Sequence, residues 1–268
     1  MTRGLDNNYF AQARRRTLRH RMERLLKESF TVLDIGEPLP SLDWTTDDAT
    51  IEDFMKSHGI KVVGLRREGF VSAYAQMDEA GGIGFERHEE IPIDMVLTSH
   101  APIGDAIIRL NEHPFCFVST IGGIEGILTK ADVSKPPVRM WLFGMVTIIE
   151  IYLSRLISIH FPGDSWQDHI SKGRLEKARA LKKERERRGE SVALIDCLQV
   201  ADKAGLILKD KELRKDFDVN SKREARELIK HFESLRNNLA HAQDIVAYNW
   251  PAIYRMALRV DRILSRLI

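Results

Sequence analysis

Arg236, Asn237 and His241 lie within one six-residue stretch, Arg236-Asn237-Asn238-Leu239-Ala240-His241, near the end of a 268-residue chain. A guanidinium, a carboxamide and an imidazole together can carry out phosphodiester chemistry without a metal. On a helix, Asn237 and His241 are four apart and share a face. Arg236 is one step back, turned by about 100 degrees, so Arg236 and His241 diverge. One copy does not easily surround a phosphate; two copies meeting face to face do. His231, His241 and Asp244 lack a usual metal-ligand spacing. The same stretch also has a structural reading: a cap near a helix end, with Arg236 in a salt bridge to Glu233 or Glu227. A second constellation, Gly126-Ile127-Leu128-Thr129-Lys130-Ala131-Asp132, has the make-up of a loop that holds a nucleotide.

The elements around that loop repeat. Thr50-Ile51-Glu52-Asp53-Phe54-Met55 is similar to Pro102-Ile103-Gly104-Asp105-Ala106-Ile107, an offset of 52. Each segment reads as a short helix followed by a strand, at 61–65 and 115–118, a turn, and a second strand, at 70–73 and 124–128. The loops Gly69-Phe70-Val71-Ser72 and Gly126-Ile127-Leu128-Thr129 are offset by 57, which predicts a longer second hairpin. A helix–strand–strand unit used twice predicts a pseudo-symmetric pair.

Residues 32–134 resemble a tandem CBS domain pair. The family loop runs Gly, two apolar residues, Thr or Ser, two free residues, then Asp; Gly126, Ile127, Leu128, Thr129 and Asp132 match it. The resemblance implies an adenosine nucleotide (AMP, ADP or ATP) as a regulatory ligand in the cleft between the copies. Backbone N–H groups where the strand ends and a helix begins would face phosphate. The Thr129 hydroxyl would bond phosphate or ribose, and the Asp132 carboxylate would accept both ribose hydroxyls. Phe117 would pack the base, and Gly126 and Thr98 complete the expected set. In the first copy Ser72 takes the Thr position but Ala75 replaces Asp, so one competent site is expected. The structural reading is that Thr129 caps a helix whose third residue is Asp132.

Pro136-Pro137 marks a boundary, and the rest reads as helices at 138–160, 166–188, 191–207, 221–243 and 251–267, with Pro251 near the first turn of the last. Long helices with short connections suggest an antiparallel bundle. This half resembles a HEPN domain, whose motif is Arg, a polar residue, a few free residues, then His. The resemblance implies a homodimer with a composite cleft and a metal-independent endoribonuclease. The RNA 2′-hydroxyl would attack phosphorus, with His241 as general base or acid, Arg236 on the developing charge and Asn237 orienting either. The products would be a 2′,3′-cyclic phosphate and a 5′-hydroxyl. The expected fold class is therefore α+β: a CBS (βαββα) pair at 32–134 followed by an all-α HEPN-like bundle at 135–268, with a basic helix at 1–31. The alternative is a non-catalytic sensor or scaffold whose helices dimerise or recruit a partner.

Charge segregates along the chain: residues 1–30 hold eight basic and three acidic residues (+5), 31–134 seven and eighteen (−11), 135–268 twenty-six and eighteen (+8). The basic ends can meet RNA, or pair with the acidic middle. The mixed-charge run Lys182–Arg188 reads as a solvated helix face or a guide for RNA backbone. Cys116 and Cys197 are isolated, Met140–Ile159 is broken by Glu150 and Arg155, and Arg14-Arg15-Arg16 has no apolar segment behind it. No disulfide, no membrane span and a cytoplasmic location are expected. Glu150 on an apolar helix demands a polar partner, with Arg155, Asn238 or Arg236 in reach.

Overall fold

The computed structural model describes residues 21, 24–78, 84–211, 214, 221–240 and 244–266. The expected basic helix falls largely, and Arg14-Arg15-Arg16 wholly, outside the described residues. The chain divides into two compact units, Met1–Arg139 and Met140–Ile268.

The first unit holds two four-stranded sheets. One runs β2 (Ser41–Asp43), β3 (Val62–Arg67), β4 (Phe70–Met77), β5 (Phe85–His88); the other runs β6 (Val96–Thr98), β7 (Phe115–Thr120), β8 (Gly123–Thr129), β1 (Glu37–Pro38). In each, a three-residue strand lies parallel to the first strand of an antiparallel hairpin. A helix fills each parallel crossover: α1 (Asp48–His58) and α2 (Ile103–Glu112). Asp47 caps α1 by accepting from the Thr50 N–H at 3.0 Å and hydroxyl at 2.8 Å. Ile51 and Met55, four apart, bury one face, and Gly59 ends the helix at φ 63°. The strand–helix–strand–strand unit is thus present twice, in agreement with the CBS-pair architecture that the sequence implies.

The registers correct one expectation. Leu65 pairs with Ala73 and Val118 with Gly126, and each ladder then bulges, at Leu65/Arg66 and at Val118/Ser119. The copies therefore superpose at an offset of 53 along the hairpins, and both turns have two residues, Glu68-Gly69 and Ile121-Gly122. The second hairpin is not longer. The sequence match paired two glycines with different jobs. Gly69 sits at φ 86°, beside Glu68 at φ 50°, as a tight hairpin turn requires. Gly126 has no positive φ; a Cβ there would stand 3.0 Å from Val118 Cβ and 3.1 Å from the Glu37 carbonyl. It is needed because β1 and β7 crowd β8 from both sides.

The core between the sheets comes from both copies: Leu39, Val62 and Tyr74 with Met95, Phe115 and Phe117. Edge-on ring contacts at 5.1–5.9 Å link Tyr74, Phe115 and Phe117. A second cluster, Ile51, Met55, Val63, Leu65, Ala73 and Ala75, lies under α1.

The second unit is helical: α3 (Pro136–His160, begun in the first unit), α4 (Lys172–Arg187), α5 (Val200–Lys209), α6 (Lys222–Ala240) and α7 (Ile245–Arg266). Three helix starts differ from expectation. Residues 162–169 form a 3-10 turn broken by Gly163 and Asp164 in left-handed conformations, so α4 begins only at Lys172. Another 3-10 turn, Leu194–Cys197, precedes α5. Asp244 Oδ1 accepts from the Val246 and Ala247 N–H groups at 2.9 and 3.1 Å, so α7 starts early and Pro251 lies inside it. By length and composition α3 could cross a membrane, yet 56% of its most apolar window is buried within the protein. Trp141, Leu142, Met145, Ile149, Leu153 and Ile157 are among its buried residues, the pattern of a core helix.

Candidate functional site

At the end of β8, Thr129 opens a short 3-10 turn, Lys130–Ser134. Its N–H and hydroxyl both donate to Asp132 Oδ2, at 2.7 and 2.9 Å. The other carboxylate oxygen pairs with Lys135 Nζ at 2.9 Å. Lys135 also donates to the Ile35 carbonyl at 2.6 Å and contacts Glu37. Burial alone would lower the Lys135 pKa, but hydrogen bonds to Glu37 and Asp132 outweigh it and the net shift is upward. Asp132 is only 6% exposed. It is therefore engaged on both oxygens, and the capping reading of Thr129 describes this geometry. Thr31 and Asp34 form the same box, at 2.7 and 3.1 Å, on the surface.

The remaining expected ligand residues scatter. Phe117 is fully buried among Tyr74, Phe115 and their neighbours, so its ring is core and not an open wall. Thr98 is exposed and pairs with Ser119, whereas Thr129 pairs with Phe115. Four residues along β7 separate those registers by about 13 Å, so the structure does not bring Thr98 beside Thr129. Ser72 and Ala75 lie in β4, Ala75 paired with Val63 and Arg87, not in a loop. At the observed offset the counterpart of Thr129 is Gln76, and that of Asp132 is residue 79, outside the described residues. Sequence reasoning missed Lys135, although its position three residues after Asp132 is a signal for contact across one helical turn.

In the helical unit, Arg236 Nε lies 2.9 Å from Glu150 Oε1. This is one of the three partners expected for Glu150. Of the acidic partners considered for Arg236, Glu227 instead pairs with Arg223 at 3.3 Å. The Arg236 side chain is 54% exposed, Asn237 is exposed, and His241 lies outside the described residues. A buried cation, Lys203 on α5, is 5% exposed. Burial pushes its pKa down, opposed by the charges of Asp196 and Glu150. Among the described residues no His, Cys, Asp and Glu cluster suits a metal ion. The run 182–188 ties itself together through Lys182–Glu186, Arg187–Glu184 and Arg188–Glu184 pairs, as a solvated face does.

No family model matches this chain, and no curated protein matches it. Among solved structures, a conserved CBS domain protein of unknown function from Thermoplasma acidophilum is similar at 16% identity and a TM-score of 0.33, over 42% of this chain and 75% of that one. The protein MJ1004 from Methanocaldococcus jannaschii is similar at 14% identity and a TM-score of 0.32, over 85% and 98%. The CBS-like architecture of the first unit stands on its repeated registers and bulges, not on these scores.

Proposed function

We propose that the first unit is a sensor for an adenosine nucleotide (AMP, ADP or ATP) and that the helical unit is a metal-independent endoribonuclease under its control. The observation that carries the sensing role is the Thr129–Asp132–Lys135 cluster. A ribose diol needs a carboxylate acceptor, and Asp132 is one, held at present by the Thr129 hydroxyl and N–H and by Lys135, partners that a ligand must displace. Lys135 immediately precedes α3, so a ligand that takes Asp132 from Lys135 changes what holds the start of that helix. Such control requires different ligand affinity for two states.

In the ribonuclease, Arg236 stabilises negative charge on the scissile phosphate, His241 moves the proton and Asn237 orients them, in a homodimer whose two copies share a cleft. RNA is the substrate. A cytoplasmic setting belongs to the same reading, because both cysteines are buried free thiols.

The test is RNA cleavage by the full chain in EDTA, with and without AMP, ADP or ATP, beside calorimetric titration of each nucleotide. Cleavage lost in both Arg236→Ala and His241→Ala, and altered by a nucleotide that binds, supports the proposal. Cleavage surviving both substitutions removes the catalytic assignment. Equal rates with nucleotide proven bound remove the coupling. The Arg236–Glu150 ion pair favours a second reading, in which Arg236 braces the helices of a non-catalytic sensor or scaffold. That reading requires a folded, nucleotide-binding protein with no RNase activity.

A further inference from the structure

A helix face that meets water ordinarily carries polar residues, and α3 departs from that rule. Met140, Phe143 and Ile151 are 62%, 63% and 54% exposed, and Thr147 between them is exposed as well. Spacings of three and four align these residues in one stripe along the helix. The hydroxyls of Thr147, Ser154 and Ser158 are spent within the helix itself. They donate to the carbonyls of Phe143, Glu150 and Ser154 at 2.9, 3.2 and 3.0 Å. The stripe therefore offers methyl groups and a ring to whatever meets it, and a contiguous apolar patch of this kind marks an interaction surface.

The order of bulk along the stripe identifies the occupant. Met140 stands seven residues before Thr147, and the small Ser154 seven after it. Gly144 stands three before, and Ile151 four after. Laid antiparallel on itself, α3 sets Ile151 over Gly144 of the partner subunit and Met140 over Ser154 of the partner subunit. Bulk then meets hollow on both sides of one centre, as a two-fold contact requires. At about 200 Å² for a large side chain, the exposed shares of Met140, Phe143 and Ile151 come to roughly 350 Å² per copy. Two copies bury about 700 Å² from these residues alone, and the residues flanking the stripe raise that toward the roughly 1,000 Å² of a weak but specific dimer.

We propose that this face of α3 binds a second copy of the chain, antiparallel and centred on Thr147. The inference deepens the homodimer of the proposed function, and its consequence for Arg236 rests on that reading. Glu150, with Arg236 Nε 2.9 Å away, is three residues from the centre and seven after Phe143, on one flank of the stripe. A two-fold across antiparallel helices keeps each flank on its own side. The two Glu150–Arg236 pairs then line one groove, about 9 Å apart along the helix axes, and neither copy forms that groove alone.

The full-length protein is followed by sedimentation velocity over a dilution series, beside Ile151→Lys, Phe143→Lys, Thr147→Cys and Ser158→Cys. The wild type dissociates on dilution. Each lysine substitution enters the symmetric contact twice and raises the dissociation constant by at least about thirtyfold, as at an interface hot spot. Because these side chains are exposed, both variants keep the wild-type circular dichroism spectrum. Under mild oxidation Thr147→Cys cross-links to its mate at the centre. Ser158→Cys does not, because its mate is about 33 Å away along the axes. The native cysteines, both buried, stay out of this reaction.

A wild type that is monomeric throughout overturns the proposal, since its own chain or another partner then covers the stripe. So does a dimer that neither lysine substitution weakens, which would use another face. Ser158→Cys cross-linking as readily as Thr147→Cys overturns the antiparallel register. A monomer that binds phosphatidylcholine vesicles, and loses them in Ile151→Lys, assigns the stripe to a lipid surface instead. A dimer that passes every one of these tests but cleaves no RNA removes the ribonuclease reading and leaves the interface standing.

Discussion

Replacing Asp132 with Ala tests the loop at its most connected point. The substitution removes a cap that accepts two hydrogen bonds from Thr129, a loss of about 1 kcal/mol. It also leaves the part-buried Thr129 N–H without its acceptor, at about 1 kcal/mol more. Lys135 keeps the Ile35 carbonyl and Glu37, so its ammonium is not stranded, and losing the Asp132 contact adds less than about 1 kcal/mol. The expected total is about 2–3 kcal/mol. At about 2–4 °C per kcal/mol for a chain of this size, the melting temperature falls by about 4–12 °C. Asp34→Ala is the internal control: it removes the same box on the surface, where water replaces the lost partners, and should cost about 0.5–1 kcal/mol. Urea and thermal denaturation followed by circular dichroism measure both. A cost for Asp132→Ala no larger than that for Asp34→Ala would refute the claim that burial and the Lys135 link make this box special. Repeating the melts with AMP separates structure from ligand binding: the wild type gains stability from a bound nucleotide, and Asp132→Ala should gain none.

Phe117→Ala should destabilise the first unit by about 3–5 kcal/mol in urea titration, because a fully buried ring leaves a cavity beneath both sheets; a cost under about 1 kcal/mol would return Phe117 to the cleft wall. Gly126→Ala should cost about 1–3 kcal/mol, since its Cβ would press on the Glu37 carbonyl and on Val118, and a neutral result would mean that β1 yields freely. Burial pushes the Cys116 thiol up from 9.0 to about 12, so it should resist iodoacetamide at pH 8 until the protein unfolds; rapid native-state labelling, read by mass spectrometry, contradicts the burial. A raised folded pKa stabilises fully below pH 9 and loses that contribution as pH climbs toward 12. Cys116→Ala should accordingly flatten the decline of stability in that window.

The two-copy pattern was legible because helix and strand periodicity is local, and Thr50–Met55 and Pro102–Ile107 each carry it. The box at Thr129 and Asp132 was legible for the same reason, since its partners are three residues apart. The parallel strands β2 and β6 have only three residues each and exist through pairing with β3 and β7 more than twenty residues onward. So short a segment carries no period, and both went unseen, as did the edge strands β1 and β5. The helix starts at Lys172, Val200 and Ile245 were misplaced because the left-handed pair Gly163-Asp164, the 3-10 turn at Leu194–Cys197 and the Asp244 cap decided them, not apolar spacing.

For the candidate sites, the sequence alone supplied the chemistry-bearing types, Thr129, Asp132, Arg236 and Asn237, together with the demand that Glu150 find a polar partner. Only the tertiary structure decided that this partner is Arg236, because the two residues lie on helices far apart in the chain. It likewise placed Phe117 in the core and set the true offset of the repeat. Side-chain type and near-neighbour spacing are written in the chain, whereas burial and long-range pairing arise from packing that competes for every apolar face at once.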